Sequence, residues 1–370
     1  MNKNIRWLQY SIGLIVLIIS LISVFNYKVD SLGLFGNSNY LSKAAKALTS
    51  GKMIAGLQNI DDRLFQDLII KNLQVRNDVI AIGSSTTMKL RRRFVSKDRI
   101  NFFNHSVSGA SLKDYIAIVG AYESIHSYLP STVILGVDPW IFNKYNGQGR
   151  WKGLKKYYDY ELDKIYGKGA KSASKNITIN AIKWKQLINF DYTVSNIKFF
   201  IRTLLNKNGK EFYIVDTIDS NVDTIDSNDF IRGSDGSIYY PNKIKQLNND
   251  KVKEYAIAFT KGKPYSLEKY DSLSNLKLFE DFVRYLQLNR VDVILFLPPY
   301  NPITYDLLVK NKKYKYILIS EKYLINFAEL NGINVKGSYN PHKYGFTNKN
   351  FLDGVHGRSW VVKKIFESTL

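Results

Sequence analysis

The sequence predicts an α/β protein: a three-layer, doubly wound, five-stranded parallel sheet carrying an inserted lobe and preceded by a transmembrane helix. Three observations predict it. Short runs that are apolar at every position alternate with stretches of helical spacing, the pattern of strands buried on both faces beneath covering helices. This rhythm stops after residue 141 and resumes near residue 274, which marks an insertion. An uncharged apolar run over 8–25 (LQYSIGLIVLIISLISVF) is about long enough to cross a hydrocarbon core as a helix.

The elements follow in order. Residues 1–27 read as a cytoplasmic tip and an uncleaved signal anchor, because Lys3 and Arg6 precede the apolar run and SVFNY at its end lacks a small-x-small cleavage pattern. A cleaved signal peptide is the alternative. Residues 28–76 read as a stalk and lead-in with amphipathic helices over 39–49 and 62–73. The first part of the main domain, 77–141, holds strands at 78–83 (DVIAIG), 100–107 and 132–137, with helices at 86–94 and 112–128. The second part, 274–370, holds helices at 275–288 and 314–330, strands at 291–297 and 332–337, and a last helix over 359–367. Between them, 142–273 is the inserted lobe, rich in Lys, Tyr, Asn and Gly. It contains a tandem heptad, VDTIDSN at 215–221 and again at 222–228, which clusters Asp216, Asp219, Asp223 and Asp226. No calcium-loop glycine pattern accompanies these carboxylates, so they read as a solvated loop.

Composition narrows the partners. With 53 Lys and Arg against 32 Asp and Glu, the chain has a formal charge of +21, which attracts acidic polymers or anionic lipid. An exported body removes nucleic acid from that set and leaves an envelope polymer or a lipid surface. Cysteine is absent, which excludes disulfides, thiolate metal sites and a cysteine nucleophile. Neither a metal nor a cofactor is expected.

The candidate chemistry sits at strand ends. Gly83-Ser84-Ser85-Thr86-Thr87 follows the first strand, and a serine at a strand-to-helix turn meets unpaired N–H groups that favour developing negative charge. Such a serine suits a nucleophile, and it also suits a helix cap. Near the C-terminus, Asp353-Gly354-Val355-His356 puts a carboxylate three residues before an imidazole. In one tight turn Asp353 fixes the ring tautomer and His356 is left as general base for Ser85. Gly109, after the second strand, offers an N–H that approaches an oxyanion without Cβ interference. Arg91, with Lys89, Arg92 and Arg93, either meets an anionic substrate or forms a solvated helix face. Trp151 to Tyr166 mixes aromatics and lysines that either stack on sugars or pack the lobe. Trp140 follows the third strand, and Tyr300 and Asn301 follow the fourth in a Pro-rich turn; these three are expected at the pocket rim, or in a rigid turn.

The order of these blocks resembles the SGNH hydrolase superfamily over roughly 77–140 and 275–370: serine after strand one, glycine after strand two, a turn after strand three, and Asp-x-x-His near the end. The resemblance implies that Ser85 is the nucleophile, that the Ser85 and Gly109 N–H groups are oxyanion donors, that Asp353 orients and that His356 is the base. Two departures stand out. Ser84 replaces the Asp usual before the nucleophile, as in membrane-anchored members that handle acyl groups on envelope polymers, the DltD family among them. Asp138 stands where an Asn ordinarily donates to the oxyanion, and an ionised carboxylate there would repel it. The resemblance implies O-acyl (acetyl) transfer to an envelope polysaccharide or acidic glycopolymer, alongside a polytopic membrane O-acyltransferase. Esterase action on the same ester is the alternative, and a catalytically silent scaffold is the third.

Overall fold

A computed structural model describes residues 3–31, 35, 39–57, 60–96, 100–167, 184–205, 212–216 and 227–368. Nine strands are present among them: β1 (Met53–Ala55), β2 (Val79–Ile82), β3 (Phe102–Asn104), β4 (Thr132–Gly136), β5 (Tyr213–Val215), β6 (Ile231–Arg232), β7 (Ile238–Tyr239), β8 (Asp292–Leu297) and β9 (Asn334–Gly337). Five of them form one parallel sheet in the order β3-β2-β4-β8-β9. The register pairs Ile80 with Phe103 and Val133, and Ile134 with Ile294.

Side-chain alternation explains why this sheet is buried. Ile80, Ile82, Val133, Leu135, Val293 and Leu295 enter one apolar cluster, together with residues of helices Leu112–His126, Leu276–Leu288 and Lys315–Leu330. Val79, Ala81, Ile134 and Phe296 point the other way, into a second cluster with Val361, Val362 and Ile365 of helix Ser359–Glu367. Successive strand residues face opposite sides, so a run apolar at every position needs cover on both. The five expected strands are all present.

One expected helix is missing. Residues 86–94 form turns and then a four-residue helix, Arg92–Val95. Carbonyls that a helix would use are taken elsewhere: Asn104 Nδ2 donates to Thr87 O and Leu90 O, each at 2.9 Å, and the Ile238 N–H donates to Met88 O at 2.8 Å. The segment is therefore tied to β3 and β7 instead of coiling on itself.

The stalk expected over 28–76 is packed rather than free. Strand β1 joins β5, β6 and β7 in a four-stranded antiparallel sheet, in the order β5-β1-β6-β7. Helices Asn39–Thr49 and Asp62–Lys71 bury Leu41, Ala45, Phe65 and Ile69 in a shared cluster with Phe103. Lead-in and lobe thus build one small layer against the edge of the parallel sheet, at β3. The duplicated heptad begins in β5, but residues 217–226, with Asp219, Asp223 and Asp226, lie outside the described residues. Among the described residues one helix has a span, Asn4–Val29, long and apolar enough to cross a membrane.

Candidate active site

The strand order reverses at β2, whose neighbours are β3 and β4. A crevice forms beyond the carboxyl ends of strands at such a point. Into it project the loops that follow β2 and β3 and the turn after residue 351.

The loop after β2 is fixed by close packing. A Cβ at Gly83 would lie 2.3 Å from Thr87 Oγ1, so only glycine lets the chain turn there. Ser84 is fully buried and its hydroxyl accepts from the Thr86 N–H (3.3 Å), which makes it the residue that shapes the turn. Ser85 is left partly exposed, with Oγ 2.8 Å from His356 Nε2.

His356 owes its position to the loop around it. A bridge between Phe351 and Gly357 closes this loop, and the Leu352 N–H donates to His356 O at 2.9 Å. Asp353 Oδ1 accepts from the Val355 and His356 N–H groups (2.9 and 2.8 Å), while Oδ2 lies 2.7 Å from His356 Nδ1. The His356 Nδ1–H donates to the ionised Asp353, so the neutral ring presents its Nε2 lone pair to the Ser85 hydroxyl. Burial alone would raise the Asp353 carboxyl, but the charge that His356 carries when protonated and the hydrogen bonds from His356 and Val355 outweigh it and hold the carboxyl well below its usual range. The other three histidines are occupied elsewhere. His105 is buried between Gln66 and Tyr122 and burial pushes it down to about 3; His126 bonds Ile70 O; His342 faces Asp306 on the surface.

The loop after β3 is held by charges. Asp62 Oδ2 accepts from the Ser108 N–H (2.9 Å), and Arg63 Nη1 and Arg150 Nη2 donate to Ser108 O at 2.8 and 2.6 Å. Arg63 is buried and pairs through Nε and Nη2 with the fully buried Asp114, at 2.9 and 3.1 Å. Asp114 in turn closes the capping box of helix Leu112–His126 by accepting from Ser111 N and Oγ, each at 2.8 Å. Across a trans peptide the carbonyl and the next N–H point in opposite directions. Anchoring Ser108 O on two guanidinium groups therefore turns the Gly109 N–H away from them. Gly109 has φ +54, and a Cβ there would lie 2.7 Å from Arg150 Nη2. Neither the Ser85 nor the Gly109 N–H donates to any partner among the described residues.

Asp138 does not face this loop pair. Its carboxyl is buried, with Oδ1 accepting from Thr86 Oγ1 (3.1 Å) beneath the Ser85 turn, and it does not line the cleft. Burial pushes it up to about 7, although the Ser84 and Thr86 hydroxyls oppose the shift.

A cleft of about 560 Å³ opens over Ser85, Ser108 and His356. Its walls are Leu57, Ile60 and Met88 with Phe230, Ile238 and Tyr240, and its charged groups are Asp62, Arg232 and Lys243. Asp62 and Arg232 pair at 3.0 Å. These wall residues come chiefly from the lead-in and from the β6–β7 hairpin, which sequence reasoning did not assign to the site. A signal was present: SDGS at 234–237 between Ile231 and Ile238 is an Asp-Gly hairpin turn, and Gly236 has φ +79.

The residues expected at the rim lie elsewhere. Trp140 is buried and stacked on Tyr265 (4.0 Å, 10°), and Tyr300 is buried against Tyr339. Asn301 is buried at the start of helix Pro302–Val309; its N–H donates to Gly354 O at 3.0 Å and thereby braces the Asp353 turn. These three do not line the cleft: Trp140 Nε1 donates to Ala110 O and Asn301 Nδ2 to Asn348 Oδ1, while Tyr300 is held inside by ring packing. Arg91 is buried over the Tyr239 ring (3.8 Å), donates to Ser359 Oγ (2.9 Å) and lines a neighbouring cavity of about 280 Å³. Lys89, Lys245 and Arg358 share that cavity, and Tyr240 separates it from the cleft. Burial chiefly pushes Lys89 down to about 7. No group of His, Asp and Glu able to hold a metal occurs among the described residues. No protein-family model matches the chain, and no curated protein matches it in sequence.

Proposed function

We propose that this protein is a membrane-anchored serine acyltransferase of the SGNH type, which moves O-acyl groups onto an acidic envelope glycopolymer. The observation that carries the reading is the unbroken relay Ser85 Oγ, His356 Nε2, His356 Nδ1, Asp353 Oδ2, with links of 2.8 and 2.7 Å. A serine is a weak nucleophile until a neighbouring base takes its proton, and an imidazole oriented by a carboxylate is such a base. The strand order, which in sequence terms is second, first, third, fourth, fifth, supports a doubly wound sheet with its site at the reversal.

In this reading Ser85 Oγ attacks the carbonyl of an acyl donor while its proton passes to His356 Nε2. The resulting oxyanion accepts from the Ser85 and Gly109 N–H groups, and Asp353 stabilises the imidazolium. Collapse expels the donor's oxygen, protonated by His356, and leaves an ester on Ser85. A glycan hydroxyl then enters, gives its proton to His356 and takes the acyl group, and His356 returns that proton to the departing Ser85 Oγ, restoring both residues. Water entering in place of the glycan makes the same site an esterase.

The anionic character of the acceptor is supported by the +21 charge and by Lys89, Arg91, Lys245 and Arg358 beside the cleft. A polytopic membrane acyltransferase that supplies the acyl group fits an anchored catalytic body with its N-terminus in the cytoplasm. The test incubates the protein with a chromogenic acetyl ester and an acidic glycan. Acetyl appearing on the glycan, and lost with Ser85→Ala, supports transfer. Free acetate alone supports the esterase, and neither product means a silent scaffold.

A further inference from the structure

The anchor is not the only apolar surface turned outward. Helix Phe190–Leu205 exposes Ile197, Phe200, Ile201, Leu204 and Leu205, the last at 76%. Their spacing makes one stripe along the helix. The opposite face is the polar one, and it is buried: Tyr192 donates to Asp30 Oδ1 at 2.9 Å, and Asn196 Nδ2 donates to Asn26 Oδ1 at 2.9 Å. A helix with its amide side chains inside and its leucines outside is arranged for an apolar solvent, the reverse of a water-facing helix.

Two further features identify that solvent. The stripe is continuous with the anchor, since Phe200 meets Phe25 edge-on at 5.9 Å and Asn26 Nδ2 donates to Leu187 O and Thr193 Oγ1, both at 2.8 Å. At the same junction Tyr27, Phe35 and Trp184 stand in series, with ring centroids 5.4 Å apart at each step. Trp7 and Tyr10 project from the other end of the anchor, and 20 residues separate Trp7 from Tyr27, about 30 Å of helix. Tryptophan and tyrosine gather at the two surfaces of a bilayer, and that spacing matches its hydrocarbon thickness.

We propose that helix Phe190–Leu205 is a second membrane contact, which lays its Ile197, Phe200 and Leu204 stripe into the lipid beside the anchor. The body is then held against the bilayer at two places and does not swing on a tether. Phe199, on the same helix, packs on Tyr40 (5.3 Å), and Tyr40 shares a cluster with Phe65 of the helix that carries Asp62 and Arg63. The lipid contact is therefore two packed elements away from the Ser108 loop of the cleft. The inference rests on helix Lys3–Val29 crossing the bilayer, and not on the chemistry at Ser85.

Because the chain has no cysteine, single cysteines can be introduced and labelled without background. The full chain carrying Leu204→Cys, Leu14→Cys or Lys253→Cys is labelled with an environment-sensitive fluorophore. Each is reconstituted in phosphatidylcholine and phosphatidylglycerol vesicles containing a lipid with a spin label on its acyl chain. The Leu204 site is expected to be quenched as the Leu14 site is, with the exposed Lys253 site unquenched. Quenching at Leu14 but not at Leu204 overturns the proposal; if Leu204 is then also shielded from aqueous iodide, its face belongs to a protein partner or a second copy. Loss of quenching at Leu14 removes the premise, and serine labelling at the active site is read separately in detergent.

Discussion

At the scale of single residues, Asp138 is the position whose chemistry changes most on burial. Its carboxyl rises from the ordinary 3.8 to about 7. Between those values the folded chain holds a proton that the unfolded chain has released, so this group's contribution is full below pH 3.8 and is lost as pH rises through 7. The whole span is worth at most about 4 kcal/mol. Urea midpoints at pH 5 and pH 8 should show the wild type losing stability relative to Asp138→Asn, which carries no titrating proton; parallel curves would contradict this. At the relay, Asp353→Asn keeps the shape of the turn but favours the wrong ring tautomer, and turnover is expected to fall by about four orders of magnitude with the fold intact. Ser85, Asp353 and His356 were legible in the sequence because each follows a predicted element and because Asp-x-x-His can close within one turn. Trp140, Tyr300 and Asn301 were not, because an aromatic or amide after a strand carries no sign of whether it turns inward. Here Tyr265, Tyr339 and Gly354 O take them inside.

At the scale of elements, the parallel strands were readable because continuous apolar runs leave few other structures open. The turn after β2 was not, since Thr86 to Phe94 has helical spacing and its carbonyls are diverted by Asn104 and by the Ile238 N–H, the latter distant in sequence. Asn104→Ala orphans Leu90 O, at a cost of about 1–3 kcal/mol, and leaves Thr87 O only the Leu90 N–H. The expected result is a lower urea midpoint together with slower turnover, as the Ser85 turn loosens. The Ser108–Gly109 peptide offers a finer test. Arg150 lies at the surface and holds Ser108 O, whereas Arg63 belongs to a buried ion pair whose rupture costs about 3–5 kcal/mol. Arg150→Ala is therefore expected to lower kcat with the thermal midpoint nearly unchanged, and Arg63→Met to lower both. If Arg150→Ala leaves kcat intact, the peptide needs no second guanidinium to stay in place.

At the scale of the whole molecule, two layers that look separate in sequence meet at the site. The parallel sheet supplies Ser85 and the His356 turn, while the lead-in and the β6–β7 hairpin supply the cleft walls. That division explains why Ser85 and His356 were easier to place than the cleft walls: the wall residues come from short strands whose pairings, Ile54 with Ile214 and Arg232, span more than 150 residues. The charge of +21 acts at this scale as well, and binding of an acidic polysaccharide should weaken steeply as salt shortens the Debye length to about 8 Å. The most direct measurement on the central claim is covalent labelling of the full chain with a fluorophosphonate, followed by mapping of the modified peptide. An activated Ser85 predicts one adduct per chain on that residue, absent from Ser85→Ala and from His356→Ala. No adduct on the folded wild type, or an adduct that survives Ser85→Ala, would contradict it.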